Sequence, residues 1–159
     1  MRQGIVIFAD STLPALKPAV EAAIATGATS FVAYADPDAS TSLRKQLGGP
    51  PPRFFPQAGR ATLGERMAQA FAFLFVQDFE HVLLVTHATK DTTQTRLAEL
   101  LAALEEQAVA IADLDGGFAV ALRRADFPHV AAIFEEVAWE RSGAAESANA
   151  LLAEHKTKA

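Results

Sequence analysis

The chain has 159 residues, half of them hydrophobic, a formal charge of −5 and no cysteine. That length suits one domain with a sizeable core rather than two, and the acidic balance without a Lys/Arg cluster argues against a nucleic-acid partner. The lack of cysteine excludes disulfides, thiolate zinc sites and a thiol nucleophile.

The opening residues, Met1 to Phe8, run into Asp10 without a small-residue cleavage site. They read as a first strand, Gly4 to Ala9, and not as a signal peptide. The longest apolar stretch outside the strands, Met67 to Val76, is about half of the ~20 residues a membrane span needs. A cytoplasmic protein with no membrane partner is the expectation. After the first strand, Pro18 suits the first position of a helix, where its missing N–H costs nothing. That helix would bury Val20, Ala23 and Ile24 and stop near Gly27, a residue suited to a left-handed terminus. Ser30 to Ala35 is the next strand. Asp36-Pro37-Asp38 breaks it, Ser40 to Leu47 forms a short helix, and Gly48-Gly49-Pro50-Pro51-Pro52 ends that helix.

Arg53 to Pro56 is a short strand. Thr62 to Gln77 is a helix opened by a Thr62-x-x-Glu65 capping box, with Leu63, Met67, Phe71 and Leu74 as its apolar stripe. His81 to Val85 is a strand, Asp91 caps the next helix, and Leu97, Leu100, Leu101 and Leu104 mark that helix's inner face. Ala108 to Ala112 and Phe118 to Leu122 are strands around a tight turn at Gly116-Gly117. Asp126 opens a helix to about Glu136 with Val130, Ile133 and Phe134 inward, and a last helix runs from Ala144 to about His155. Strands alternating with helical patterns define parallel βαβ units. The expectation is one domain over residues 1–155, a three-layer α/β/α Rossmann-like sandwich with a mainly parallel sheet, followed by a frayed tail at 156–159. Val6, Phe8, Val32, Leu84 and Ile111 should be buried in the sheet.

Ligands of open α/β sheets bind outside the carboxyl ends of the strands. The residues following the strands are Asp10, Asp36, Thr86 with His87, and Asp113 with Asp115, and they should form one rim. Carboxylates there suit a divalent cation bridging a diphosphate, although acids after strands also serve as caps and turn formers. Asp115-Gly116-Gly117 lets a backbone approach a phosphate or sugar closely; the same residues suit a hairpin turn. Arg66, near a helix start, is placed to pair with a phosphate or to form a surface ion pair. Capping alone accounts for Glu65. His87, on the rim, is the candidate acid or base beside Asp115, or else a solvated loop histidine. Trp139 suits packing or sugar stacking. The four histidines have no zinc-ligand spacing, and no Walker loop, dinucleotide fingerprint or Gly-x-Ser-x-Gly motif occurs.

Leu63-Gly64-Glu65-Arg66-Met67 followed about fifty residues later by Asp115-Gly116-Gly117-Phe118 resembles a bacterial family of small glycosyltransferase-like proteins (DUF2064-like) with a nucleotide-diphospho-sugar transferase, GT-A-like fold. That family's pattern is LGERM, GSDxP after a strand, and DGGY. The resemblance extends to the opening strand, to Gln57-x-Gly59 and to the segment around Trp139. It implies a nucleotide sugar as ligand, held by Asp10, Asp36, Arg66, Gly116 and Gly117, with Asp115 on a Mg or Mn ion. Two departures accompany it. Thr86-His87-Ala88-Thr89-Lys90 stands in place of GSDxP, so an alanine replaces the acid, and Asp10 to Val20 holds only Lys17 where the family has a basic cluster. The resemblance therefore implies a transferase with weakened or altered activity. Its competitor is a non-catalytic binding module that keeps the sandwich, and homodimerisation is left open.

Overall fold

A computed structural model describes residues 2–9, 13–35, 40–47, 52–57, 62–114, 117–139 and 144–158. The elements in chain order are β1 (Gln3–Phe8), α1 (Leu13–Ala25), β2 (Thr29–Tyr34), α2 (Ser40–Gln46), β3 (Arg53–Pro56), α3 (Leu63–Val76), β4 (His81–Val85), α4 (Gln94–Ala103), β5 (Val109–Asp113), β6 (Phe118–Arg123), α5 (Phe127–Val130), α6 (Ile133–Glu136) and α7 (Ala144–Lys158). One six-stranded sheet has the order β3-β2-β1-β4-β6-β5. The β3-β2-β1-β4 part is parallel, and β6 runs antiparallel to both β4 and β5.

Alternation along each strand divides the interior into two apolar layers, as a pleated sheet covered on both faces requires. Val6 and Phe8 of β1 face Met67, Phe71 and Leu74 of α3 together with Ile133 and Phe134 of α6. Ile5 and Ile7 face Leu16, Ala19, Val20 and Ala23 of α1 and Leu97 and Leu101 of α4. The molecule is the three-layer α/β/α sandwich the sequence predicts. Among the described residues, no helix is long and apolar enough to cross a membrane.

Several local expectations need correction. α1 begins at Leu13, not at Pro18, and Pro18 lies inside it. An interior proline costs a helix about 3 kcal/mol through its missing N–H and ring clash. Its ring is solvent-facing here, and burial of Leu16, Ala19, Val20 and Ala23 on the opposite side offsets the loss. Ile24, expected inward, is 36% exposed because the buried stripe is set by Leu16 and Ala19. Gly27 does take the left-handed conformation, φ 89°. Asp91 is not the cap of α4; Thr93 is, its hydroxyl accepting the Arg96 N–H. Ile111 is only half-buried, since β5 is an edge strand. The helix expected from Asp126 to Glu136 is broken into α5 and α6, whose Val130, Ile133 and Phe134 still point inward. α7 carries on to Lys158, into the segment expected to fray.

Candidate functional site

The topology brings the carboxyl ends of β1, β2, β3 and β4 to one edge of the sheet. Because β6 runs backwards between β4 and β5, the turn joining β5 to β6 lies at that edge too. His87 and Gly117 are therefore neighbours there. The strands that precede Asp10 and Asp36 end at the same edge; Asp10, Asp36, Asp115 and Gly116 themselves lie outside the described residues.

The segment after β4 is stitched to the β5–β6 turn by threonines. The Thr86 N–H donates to the Phe118 carbonyl at 3.1 Å, and its buried hydroxyl both donates to that carbonyl and accepts the Phe118 N–H. The Thr89 hydroxyl donates to the Leu114 carbonyl at 2.7 Å, while Thr92 Oγ1 accepts the Thr89 N–H. The Leu114 N–H donates to the Gly117 carbonyl at 2.8 Å, and β5 and β6, the strands expected on either side of the two glycines, pair as an antiparallel hairpin. A Cβ on Gly117 would sit 2.9 Å from both the Cβ and the carbonyl oxygen of His87. Glycine at 117 is what allows the two segments to touch. His87 is half-buried at this contact.

Ala88 faces away from the edge. It is 1% exposed and belongs to the apolar layer under α1 and α4, with Leu16, Leu97 and Leu114. In this backbone position 88 is a core position. Trp139 is likewise a packing residue. It is 2% exposed, stacked on Phe134 at 5.9 Å and tilted against Phe118 at 5.1 Å, so the sugar-stacking alternative is set aside.

Arg66 is held on the other side of β1. Thr62 Oγ1 accepts the Glu65 N–H and donates to the Glu65 carboxylate, both at 3.2 Å, so the cap starts α3 and accounts for Glu65. One residue on, the Arg66 guanidinium donates to Gln57 Oε1 at 2.7 Å and lies over the Phe8 ring at 5.9 Å. Gln57 is anchored in turn, its Nε2 donating to the Ala33 carbonyl at 2.7 Å. Arg66 is thus half-buried and fixed at the strand ends, not a loose surface arginine. Together with Gln69, Phe55 and Phe73 it lines a cavity of about 140 Å³. Sequence reasoning placed Gln57 only as part of an approach to α3 and missed Gln69; the Gln57-to-Arg66 spacing was the available signal, and only the folded register gives it meaning.

The Ala88 side chain offers no oxygen, and among the described residues no three His, Cys, Asp or Glu side chains converge as a metal-binding group; Asp10, Asp36 and Asp115 lie outside those residues.

A six-stranded, mainly parallel sheet covered by helices on both faces has the fold of nucleotide-diphospho-sugar transferase-like structures. The chain belongs to the family described as uncharacterized proteins conserved in bacteria (DUF2064), whose model matches residues 19–141. It is similar to the crystal structure of a protein of Desulfovibrio desulfuricans G20 described provisionally as a nucleotide-diphospho-sugar transferase. That match has a TM-score of 0.76 and 18% identity, over 98% of this chain and 78% of the other. It is also similar to a 4-diphosphocytidyl-2C-methyl-D-erythritol synthase of Anaerococcus prevotii DSM 20548, with a TM-score of 0.61 and 11% identity over 85% of this chain and 75% of the other. A further synthase of that name matches with a TM-score of 0.54 and 12% identity, over 95% and 85% of the two chains. At these identities the likeness establishes the fold. No curated protein matches the chain.

Proposed function

We propose that this protein binds a nucleotide-diphospho-sugar at the carboxyl edge of the sheet and is a glycosyltransferase-like protein of weakened activity. The observation that carries the reading is the convergence at one edge of the fixed Arg66 guanidinium, the His87–Gly117 contact and the ends of all four parallel strands. Helix starts and strand ends converge at such an edge in open α/β sheets, which is where their ligands sit. The solved structures of similar fold, one a transferase of nucleotide-diphospho-sugars by its description and two synthases of a diphosphocytidyl compound, support the same ligand class.

In this reading Gly116 and Gly117 let the turn approach the diphosphate, Asp10 and Asp36 contact the ligand from the strand ends, and His87 and Asp115 are the candidate catalytic groups. Asp115 is also the proposed ligand of a Mg or Mn ion. Weakened chemistry is the expectation from Ala88, whose buried methyl group stands where the resemblance implies an acid.

Calorimetric titration of UDP-, GDP- and ADP-sugars, each with manganese, with magnesium and with neither, tests the proposal. Weak binding that depends steeply on added metal is expected. Tight binding without metal overturns the degenerate-site reading, and no binding of any nucleotide sugar overturns the function.

A further inference from the structure

The two edges of the sheet are built differently. At one edge β3 ends on Pro56 and is preceded by Pro52, and Arg53 is exposed. The Gln57 N–H donates inward to the Tyr34 carbonyl at 2.8 Å. By strand alternation the backbone groups of Phe55 and Arg53 also point inward, and those of positions 52, 54 and 56 point outward. Two of these three outward positions are prolines without an N–H, a device that blunts a strand edge against pairing.

The edge at β5 has no such device. Its sequence, Val109-Ala110-Ile111-Ala112-Asp113, contains no proline, and its one charge stands at the last position. The Ala108 carbonyl accepts the Arg123 N–H at 3.2 Å, and the Leu114 N–H donates to the Gly117 carbonyl at 2.8 Å, so the even-numbered residues of this stretch bond to β6. In an antiparallel ladder the residues between them turn both backbone groups to the other side, and β5 is the last strand of the sheet. Val109, Ile111 and Asp113 therefore present their N–H and C=O groups at the edge, with no backbone partner among the described residues. α7 shares the apolar layer of Val109 and Ile111, and α4 that of Ala110 and Ala112, yet Val109, Ala110 and Ile111 are only half-buried.

We infer that β5 is a homodimer interface, in which the β5 strands of two copies pair antiparallel about a two-fold axis at Ile111. A second copy satisfies this edge completely. Ile111 pairs with Ile111 of the second copy, and Val109 with its Asp113 and the reverse, so every outward N–H and C=O of both strands is used and none is left over. On the α4 face Ala110 meets Ala112 of the second copy, and methyl groups alone oppose one another there. β5 runs parallel to β4, since β6 is antiparallel to both. Antiparallel pairing therefore sets the turn before β5 of each copy, which carries Glu105 and Glu106, beside the β5–β6 turn of the other, at the edge proposed above for the ligand. These acids then approach Asp113 of the second copy, so the dimer tightens as salt screens them.

The test is sedimentation equilibrium on the full chain over a wide range of protein and salt concentration, with amide hydrogen exchange read residue by residue by NMR. A dimer is expected that strengthens with salt, and the Val109, Ile111 and Asp113 amides should gain protection as protein concentration rises. Asp113→Pro removes an outward N–H at an exposed position and is expected to weaken the dimer tenfold or more, with an unchanged circular dichroism spectrum. Ile111→Cys places a thiol at the two-fold in a chain that has no other cysteine. The Cα atoms of such a pair lie about 5.5 Å apart, within disulfide reach, so oxidation should give a covalent dimer, whereas Arg53→Cys at the β3 edge should not. If Asp113→Pro does not fold, the exchange pattern and the Ile111→Cys cross-link carry the test. A chain that stays monomeric at every concentration overturns the inference. So does a dimer in which the three amides exchange freely, one that folded Asp113→Pro leaves equally tight, or equal cross-linking through Arg53→Cys. Nucleotide-sugar binding is measured separately and stands or falls independently of these outcomes.

Discussion

Gly64 lies directly against the Phe134 carbonyl: a Cβ built at position 64 would overlap that oxygen and come within 2.9 Å of Trp139 Cδ1. The glycine of the LGERM segment is therefore a packing requirement, letting the first turn of α3 sit on α6 and on the Trp139 ring. In an open helix Gly→Ala stabilises by about 1 kcal/mol. Here the clash with backbone reverses the sign, and Gly64→Ala is expected to destabilise the protein by about 2 kcal/mol or more. Urea unfolding checks this, the prediction being a lower midpoint with an unchanged slope.

Gly117→Ala acts on the other side of the site. The atoms it meets are the Cβ and carbonyl oxygen of His87, neither of them the end of a flexible side chain, so the segment after β4 must move. A loss of about 1 kcal/mol in stability is expected, accompanied by a changed His87 imidazole resonance in NMR. A His87 signal identical to that of the unmodified protein would show that the contact places no constraint on the ring.

Ala88→Asp places a carboxylate in the apolar layer among Leu16, Leu97 and Leu114. Burying an unpaired charge or an unsatisfied carboxyl costs several kcal/mol. The expected outcome is a protein destabilised by about 3 kcal/mol or more, with no gain in metal-dependent binding. A stable variant that binds manganese more tightly would mean that the 88 side chain can turn outward to the sheet edge.

His81 gives the fold a pH dependence away from the site. It opens β4, is 7% exposed, and its Nδ1 has no hydrogen-bond partner among the described residues. Burial first, and then the Arg123 guanidinium opposite it in register, hold its pKa below the ordinary 6.5, outweighing Glu80 and Glu105. A folded pKa below the unfolded one means that the unfolded chain binds more protons, so the contribution is present above the unfolded pKa and is lost as pH falls through the folded one. Unfolding midpoints measured from pH 8 to pH 5 should decline below about pH 6.5, more steeply than in His81→Leu. Parallel profiles for the two proteins would remove His81 as the cause.

The hydrophobic periods and turn residues alone determined the alternation of strands and helices, the cap at Thr62, the hairpin around Gly116-Gly117 and the sandwich they build, because each depends on spacing within a few residues. Pro18 misled that reading, since a local penalty was outweighed by burial of Leu16 and Ala19, which only packing reveals. Tertiary structure decided the rest. It inserted β6 between β4 and β5 and so brought Gly117 onto His87. It turned Ala88 into the core, and it drew Arg66 and Gln57 together over Phe8. A sequence states which residue types stand near one another along the chain; whether a side chain enters a core layer or a ligand edge depends on contacts between segments thirty or more residues apart, such as Thr86 with Phe118, and these exist only once the sheet is assembled.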